Sequence, residues 1–314
     1  MKISVVIPLF NKENTILRAI SSVLNQTFQN FEIVVVNDGS TDNSVIKVEG
    51  VNDSRIKLIH QSNQGVSVAR NTGILNAQFD WIAFLDADDE WLPEFLSKIE
   101  TLHENHSDCS ILATCYNFYR GDLFYSKPQI NNIKFGFNGV ITNYFELAIE
   151  SDPLFNCSCV CVLKEALIKV NGFPSNVKVG EDFLTWTKLI IRYKLAYSFN
   201  FLVNIYEIFE GNKKSIERNN DNDIVGIELI KNIELLQNKH KIYYLKYIAR
   251  WFKSRASIYL EIGKTRNCRQ ELIKAWEYSY EKKILIVFFC ISLFPPFISK
   301  SLYSLFRKLY KKIK

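Results

Sequence analysis

An α/β fold is predicted, a mostly parallel sheet with helices on both faces, followed by a C-terminal α-helical region. Three observations predict it. Over the first 120 residues, short apolar runs alternate with stretches whose apolar residues recur every three or four positions, the pattern of strands and crossover helices. After residue 223 only the helical period remains. The chain has 314 residues, 47% hydrophobic and 23% charged, which is ordinary for about two folding units and too apolar for a disordered chain.

The elements follow in order. Ile3–Pro8 reads as a buried strand. Ile16, Leu17, Ile20, Val23 and Leu24 mark one face of a helix that Asn11 or Asn14 is placed to cap. Phe31–Val36, Arg55–His60 and Trp81–Leu85 are further strands, with a helix over Val66–Asn76 before the last. A helix over Glu94–His103 and a strand over Cys109–Tyr116 come next. Residues 117–152 show no clean period. Phe155–Leu163 reads as strand, Lys164–Val170 as a short helix stopped by Asn171-Gly172, and Phe183–Tyr193 as an amphipathic helix. Gly211–Asp223 is polar, a linker or loop, and Ile224–Leu236, Tyr243–Ile262 and Gln270–Tyr280 read as three helices. The expected organisation is an α/β domain over 1–210, a linker or loop over 211–223, a helical subdomain over 224–281 and a tail over 282–314.

Charge is uneven. The net charge is +6, yet residues 282–314 carry eight Lys and Arg and no acid, so the remainder stands at −2. An evenly basic surface for nucleic acid is thereby disfavoured. In the tail, Ile284–Ile298 is 15 uncharged residues, short of the roughly 20 that a spanning helix needs. Leu302, Leu305, Phe306, Leu309 and Ile313 then recur at helical spacing among cations. This combination reads as an interfacial anchor on an anionic membrane surface, with a longer tilted span and a packed C-terminal helix or dimer contact as the alternatives. Cys157, Cys159 and Cys161 alternate and are read as reduced core thiols. Nothing at the N-terminus has the length of a secretory signal, so a cytoplasmic location, peripheral on the inner face of the membrane, is expected.

In an open parallel sheet, ligands bind beyond the carboxyl ends of the strands. After the first strand comes Pro8-Leu9-Phe10-Asn11, after the second Asn37-Asp38-Gly39-Ser40, and after the fourth Asp86-Ala87-Asp88-Asp89. Asp38 alone is compatible with an ordinary Asp-Gly turn. The three carboxylates Asp86, Asp88 and Asp89 repel one another at the end of a buried strand, and a divalent cation with a bound diphosphate relieves that cost. Oxygen ligands favour Mn2+ or Mg2+ over Zn2+. Gly65 permits a close turn into the helix that carries Arg70, one turn in, where a guanidinium reaches a phosphate or pairs with the acids.

The ordered series VVIPLFN, VVVNDGSTDNS, NQGVSVARNTGI and FLDADDEW resembles the family 2 glycosyltransferases of the GT-A, Rossmann-like fold. The likeness continues, more weakly, through Val170-Asn171-Gly172-Phe173 and Gly180-Glu181-Asp182-Phe183-Leu184-Thr185-Trp186. It implies that Pro8, Phe10 and Asn11 line the nucleotide pocket and that Asp38 hydrogen-bonds the base. It implies that Asp86 and Asp88 form the Asp-x-Asp pair with Asp89 extending it, that Arg70 lies by the diphosphate or braces the acids, and that Asp182 is the general base with Glu181 beside it. The activity implied is inverting transfer of a sugar from a nucleotide sugar, typically a UDP-sugar, to a glycan or lipid-linked acceptor in surface-polysaccharide synthesis. Relatives often end a later strand in Tyr-Arg-x-His, whose His completes a metal shell. Here the comparable stretch is Ile205–Phe209, with Glu207 and Phe209 in place of the cation and the His, so that either a loop residue such as Glu210 or water fills the shell, or the metal is held more weakly. Trp91 and Trp186 are read as core residues, with stacking on a sugar as the alternative. Two other functions compete. One is an inactive membrane scaffold; the other is a sugar-phosphate nucleotidyltransferase, disfavoured because Pro8–Asn14 contains no Gly.

Overall fold

The structure is a computed structural model that describes residues 1–121, 123–206, 223–236, 238–279 and 282–313. Glu207, Phe209, Glu210 and the polar stretch up to residue 222 lie outside the described residues. The chain divides into two compact units, residues 1–209 and 210–314.

The first unit is built on one ten-stranded sheet. Strands β1 (Ile3–Leu9), β2 (Phe31–Asp38), β3 (Ile56–Gln61) and β4 (Trp81–Phe84) pair in parallel in the order β3-β2-β1-β4. Their Val- and Ile-rich runs are buried throughout in β1, β2 and β4 apart from Pro8, as parallel strands covered on both faces must be. The sheet then becomes mixed. It continues β4-β9-β6-β10-β5, where β5 is Glu90–Trp91, β6 Ile111–Arg120, β9 Val160–Leu163 and β10 Leu195–Tyr206. Strand β9 runs antiparallel to β4 and β6, while β6 and β10 are parallel. Short strands β7 (Leu123–Ser126) and β8 (Asn138–Ile141) add to β6 and β10.

Helix α1 (Ile16–Leu24) buries Ile16, Ala19, Ile20 and Val23, one face at helical spacing. Asn11 and Asn14 do not cap it. The cap position is Thr15, without a side-chain bond. A short α2 (Ser44–Glu49) follows β2, and α3 covers Val66–Asn76 as the periodicity predicts. Helix α3 presses closely on β1, since a methyl group at Gly73 would lie 2.3 Å from Val6 Cγ1. Helices α4 (Phe95–Asn105), α5 (Tyr144–Glu150), α6 (Lys164–Lys169) and α7 (Glu181–Arg192) complete the unit. Cys157 and Cys159 lie in a 3-10 turn and Cys161 in β9, all three as free, buried thiols.

The second unit is helical, with α8 (Ile224–Lys231), α9 (Asn238–Ile262), α10 (Thr265–Tyr278), α11 (Lys283–Ser292) and α12 (Pro296–Ile313). At its centre a buried ion cluster joins α9 to α10, with Arg255 Nε 3.1 Å from Glu271 and 3.7 Å from Asp223. The basic tail forms α11 and α12, which pack on α10 and α9 respectively. Among the described residues, no helix is long and apolar enough to cross a membrane.

Candidate functional site

Strand β1 lies between β2 and β4. The chain crosses from β1 to β2 on one side and returns past it from β3 to β4 on the other. Loops leaving the carboxyl ends of β1 and β4 therefore splay apart and open a crevice. An open cavity of about 630 Å3 at the amino ends of β1 and β4, among Met1, Phe79, Trp81 and Glu165, holds none of the groups described next.

On the β1 side, Pro8 is half-buried at the end of the strand and Phe10 is 44% exposed. Asn11 takes a left-handed backbone, φ 49°, which Asn tolerates better than most residues. Its side-chain oxygen accepts from the Thr41 amide at 2.8 Å, and its own amide donates to Ser40 Oγ at 3.1 Å. The β1 and β2 loops are thus laced together. Asp38 is 3% exposed, and its carboxylate accepts from Gln61 Nε2 at 2.7 Å and from the Gln64 and Gly65 amides at 2.9 and 2.8 Å. It fixes the entry to α3, where Gly65 sits at φ +92°, a conformation natural only to glycine. The structure therefore gives Asp38 an internal task, apart from the base contact that the resemblance implies.

On the β4 side the three acids divide. Asp86 Oδ1 accepts from Arg70 Nη2 at 2.8 Å, and its amide donates to Ser158 Oγ at 3.1 Å. Asp88 Oδ2 accepts from Lys12 Nζ at 2.5 Å, and Arg18 donates to its carbonyl. Asp89 turns inward. It is 5% exposed, accepts from Ser158 Oγ at 2.5 Å and holds the Tyr206 amide at 3.1 Å. Burial, with Asp86 and Asp88 nearby, pushes its carboxyl well up. Arg18 also lies over the Tyr206 ring, 3.6 Å from its centre, so the end of β10 is held against the acidic loop.

The third wall comes from much later in the chain. Arg70 is 4% exposed, and its second nitrogen, Nη1, donates to Glu181 at 3.2 Å. Glu181 and Asp182 open α7, where carboxylates complement the helix dipole. Burial raises the Asp182 carboxyl and Arg70 opposes that shift. Burial and the neighbouring Asp182 raise Glu181, again against Arg70. Asn71 clamps the preceding loop, its side chain bonding both the amide and the carbonyl of Phe173 at 2.8 and 2.7 Å.

No three His, Cys, Asp or Glu side chains among the described residues converge as a ready-made metal cage. Asp86 and Asp88 nonetheless suit a hard divalent cation such as Mn2+ or Mg2+. Their side chains are 34% and 21% exposed at the crevice, and each commits one named oxygen to a cation of the chain. The expected third ligand, Asp89, does not join them, because its carboxyl is spent on Ser158 and Tyr206 inside the fold. The sugar-stacking alternative for the tryptophans also fails. Trp91 is 2% exposed, stacks on Phe95 and donates to the Ser158 carbonyl, and Trp186 is 4% exposed among Phe84, Phe155 and Phe173.

Lys12, Arg18 and Ser158 were not foreseen as site residues. Lys12 had a usable signal, its place in the loop after β1. The partners of Arg18 and Ser158 in the acidic loop lie 70 and 69 residues away in sequence, and nothing local marks them.

Residues 4–167 match the family model described as glycosyl transferase family 2. An uncharacterized glycosyltransferase of Rickettsia bellii is 34% identical over 193 residues, which cover 61% of this chain and 26% of that protein. The chain spans between a quarter and a third of the length of the first such relatives. The Escherichia coli protein WfgD, named a UDP-Glc:alpha-D-GlcNAc-diphosphoundecaprenol beta-1,3-glucosyltransferase, is 33% identical over 195 residues, 60% of this chain and 69% of that one. Among solved structures, residues 1–349 of S. aureus TarS superpose with a TM-score of 0.69 at 17% identity, covering 100% of this chain and 92% of that one. That fragment has also been solved with UDP and with UDP-GlcNAc. At this identity the likeness is one of fold.

Proposed function

The chain belongs to glycosyl transferase family 2, and on that premise we propose that it moves a sugar, with inversion, from a UDP-sugar to a hydroxyl of a glycan or lipid-linked acceptor in surface-polysaccharide synthesis. The observation that carries this reading is Arg70. One buried guanidinium bonds Asp86 at the end of β4 and Glu181 at the start of α7, the latter 111 residues from Arg70 itself. The acids suited to the departing diphosphate and the carboxylate suited to the acceptor proton thereby stand around one crevice.

In the proposed reaction the acceptor oxygen attacks the anomeric carbon as its proton passes to Asp182. The bond from that carbon to the diphosphate breaks, and the diphosphate leaves with the electron pair. A carboxylate base works best with a raised pKa, and burial supplies that at Asp182. Asp86 and Asp88 would hold Mn2+ or Mg2+, which supplies Lewis-acid charge when bound. Lys12 and Arg18 add fixed positive charge beside Asp88. Asn11 and Asp38 set the loops against which the nucleotide is proposed to lie, with Pro8 and Phe10 lining it. Asp89 braces the acidic loop and the end of β10. The UDP donor and the lipid-linked acceptor are supported by the name of WfgD, at 33% identity. We place the reaction in the cytoplasm, with the protein peripheral on the inner face of the cell membrane.

The test is donor binding and turnover by the full chain against a panel of nucleotide sugars with Mn2+, Mg2+ or EDTA, with Asp88→Asn alongside. Metal-dependent binding of one UDP-sugar, lost in Asp88→Asn, is expected. Binding of no nucleotide sugar under any metal would sink the reading.

A further inference from the structure

The C-terminal helix pair shows one apolar side that the fold does not use. Leu285, Phe288 and Ile291 of α11 and Tyr303 of α12 are buried, with Phe288 packed edge-on against Tyr303 at 5.3 Å. The opposite side of α11 carries Ile286 and Phe289, and Leu293 follows at its end; they are 49%, 40% and 64% exposed. These positions recur every three or four residues, so they form one stripe along the helix. The stripe runs into the corner between the helices, Leu293-Phe294-Pro295-Pro296-Phe297, where five successive residues are exposed and Phe297 reaches 71%.

The corner is also held in place. Ser299 is fully buried, and its hydroxyl donates to the Ile291 and Phe294 carbonyls at 2.8 and 3.2 Å. Arg269 donates to the Ser292 carbonyl at 2.5 Å. Carbonyls that a helix end leaves without partners are thus satisfied inside the unit, and the large apolar side chains of the corner are displayed by choice of sequence. Exposed apolar ground of this kind marks an interaction surface.

Charge says what covers it. Lys283, Lys300 and Lys308 are exposed on the same two helices, as is Lys282 just before the first of them, and residues 282–314 contain no acid at all. Trp276 is 42% exposed, with the Lys282 ammonium 4.5 Å from its ring centre, an aromatic and a cation paired as at a membrane interface. Neither helix is long and apolar enough to cross a bilayer. We propose that the Leu293–Phe297 corner and the Ile286/Phe289 stripe insert into the acyl boundary of an anionic lipid bilayer while the flanking lysines meet its headgroups. A neutral protein partner would not answer the charge of these exposed lysines. This inference names the surface behind the proposed membrane partner but takes no support from the sugar-transfer chemistry.

The experiment is flotation of the full chain with vesicles of phosphatidylglycerol and phosphatidylcholine, against pure phosphatidylcholine. Binding to the anionic vesicles at least tenfold above the neutral ones is expected, weakening as salt rises. The double variant Phe294→Ser/Phe297→Ser should lose about tenfold in binding, and so should Lys300→Ser/Lys308→Ser. Both should keep the wild-type circular dichroism and nucleotide binding, which separates this proposal from that of the preceding section. Wild-type binding by the phenylalanine variant would overturn the proposal. So would a lipid-free dimer that this variant converts to monomer, because a second copy would then be the occupant.

Discussion

At the scale of single residues, Asp182 is the clearest test of the chemistry. Asp182→Asn keeps the shape and removes the base, so kcat should fall by about 10²- to 10⁴-fold while nucleotide affinity, read by calorimetry, stays within about twofold of wild type, a margin of roughly 0.4 kcal/mol. Near-normal turnover would remove Asp182 from the mechanism. Its pH behaviour has a definite sign. Burial raises the carboxyl in the folded protein, and only the deprotonated form accepts a proton. The acid limb of kcat/KM against pH should therefore sit above the ordinary carboxylate range and vanish in Asp182→Asn. Lys12 makes a second prediction. Its ammonium occupies Asp88 Oδ2 at 2.5 Å, with both side chains partly exposed. Such a pair is worth about 1 kcal/mol or less, so Lys12→Met should tighten Mn2+ binding to the nucleotide-free protein by up to ~5-fold. Free Mn2+ measured by electron paramagnetic resonance reads this directly, and unchanged or weaker binding would show that Lys12 does not compete with the metal.

At the scale of elements, the site depends on how α3 lies against β1. Arg70 and Asn71 sit on α3, one facing the acids and the other clamping Phe173. Gly73, one turn on, allows the contact because a methyl group there would fall 2.3 Å from Val6 Cγ1. Gly73→Ala should cost about 1–3 kcal/mol through overpacking, seen as a lower denaturant midpoint. Donor binding should weaken with it as Arg70 is pushed away from Asp86. Stability and binding both at wild-type level would show that the contact is soft. Much of this element was legible beforehand. The helix Val66–Asn76 and the strands that flank it follow from apolar period alone, and the polar strand ends pointed to Asn11, Asp38 and Asp86. What was not legible rests on tertiary pairing. The bond from Arg70 to Glu181 spans 111 residues and leaves no local trace. The inward turn of Asp89 depends on Ser158 and Tyr206, from two distant segments. Strands β7 and β8 are four residues each, and such short strands take their state from neighbours more than from propensity.

For the whole molecule, the main core lies inside the first unit. Among the described residues, the buried apolar cluster runs from Ile3 to Val203, and the crevice residues Asn11, Lys12, Asp86, Asp88 and Asp182 all belong to the same unit. A domain with its own contiguous core is expected to fold alone. The second unit has its own anchors, the Arg255–Glu271 pair and the packing of Phe288 on Tyr303. The two proposed properties should therefore separate. A fragment ending at residue 209 should unfold in one cooperative transition and bind the nucleotide sugar as the full chain does, while losing the vesicle binding carried by α11 and α12. Calorimetry with and without donor, beside flotation, checks both halves. A fragment that melts without cooperativity would show that the helical unit completes the catalytic fold. One that folds and still floats with anionic vesicles would place a lipid-binding surface on the sheet unit.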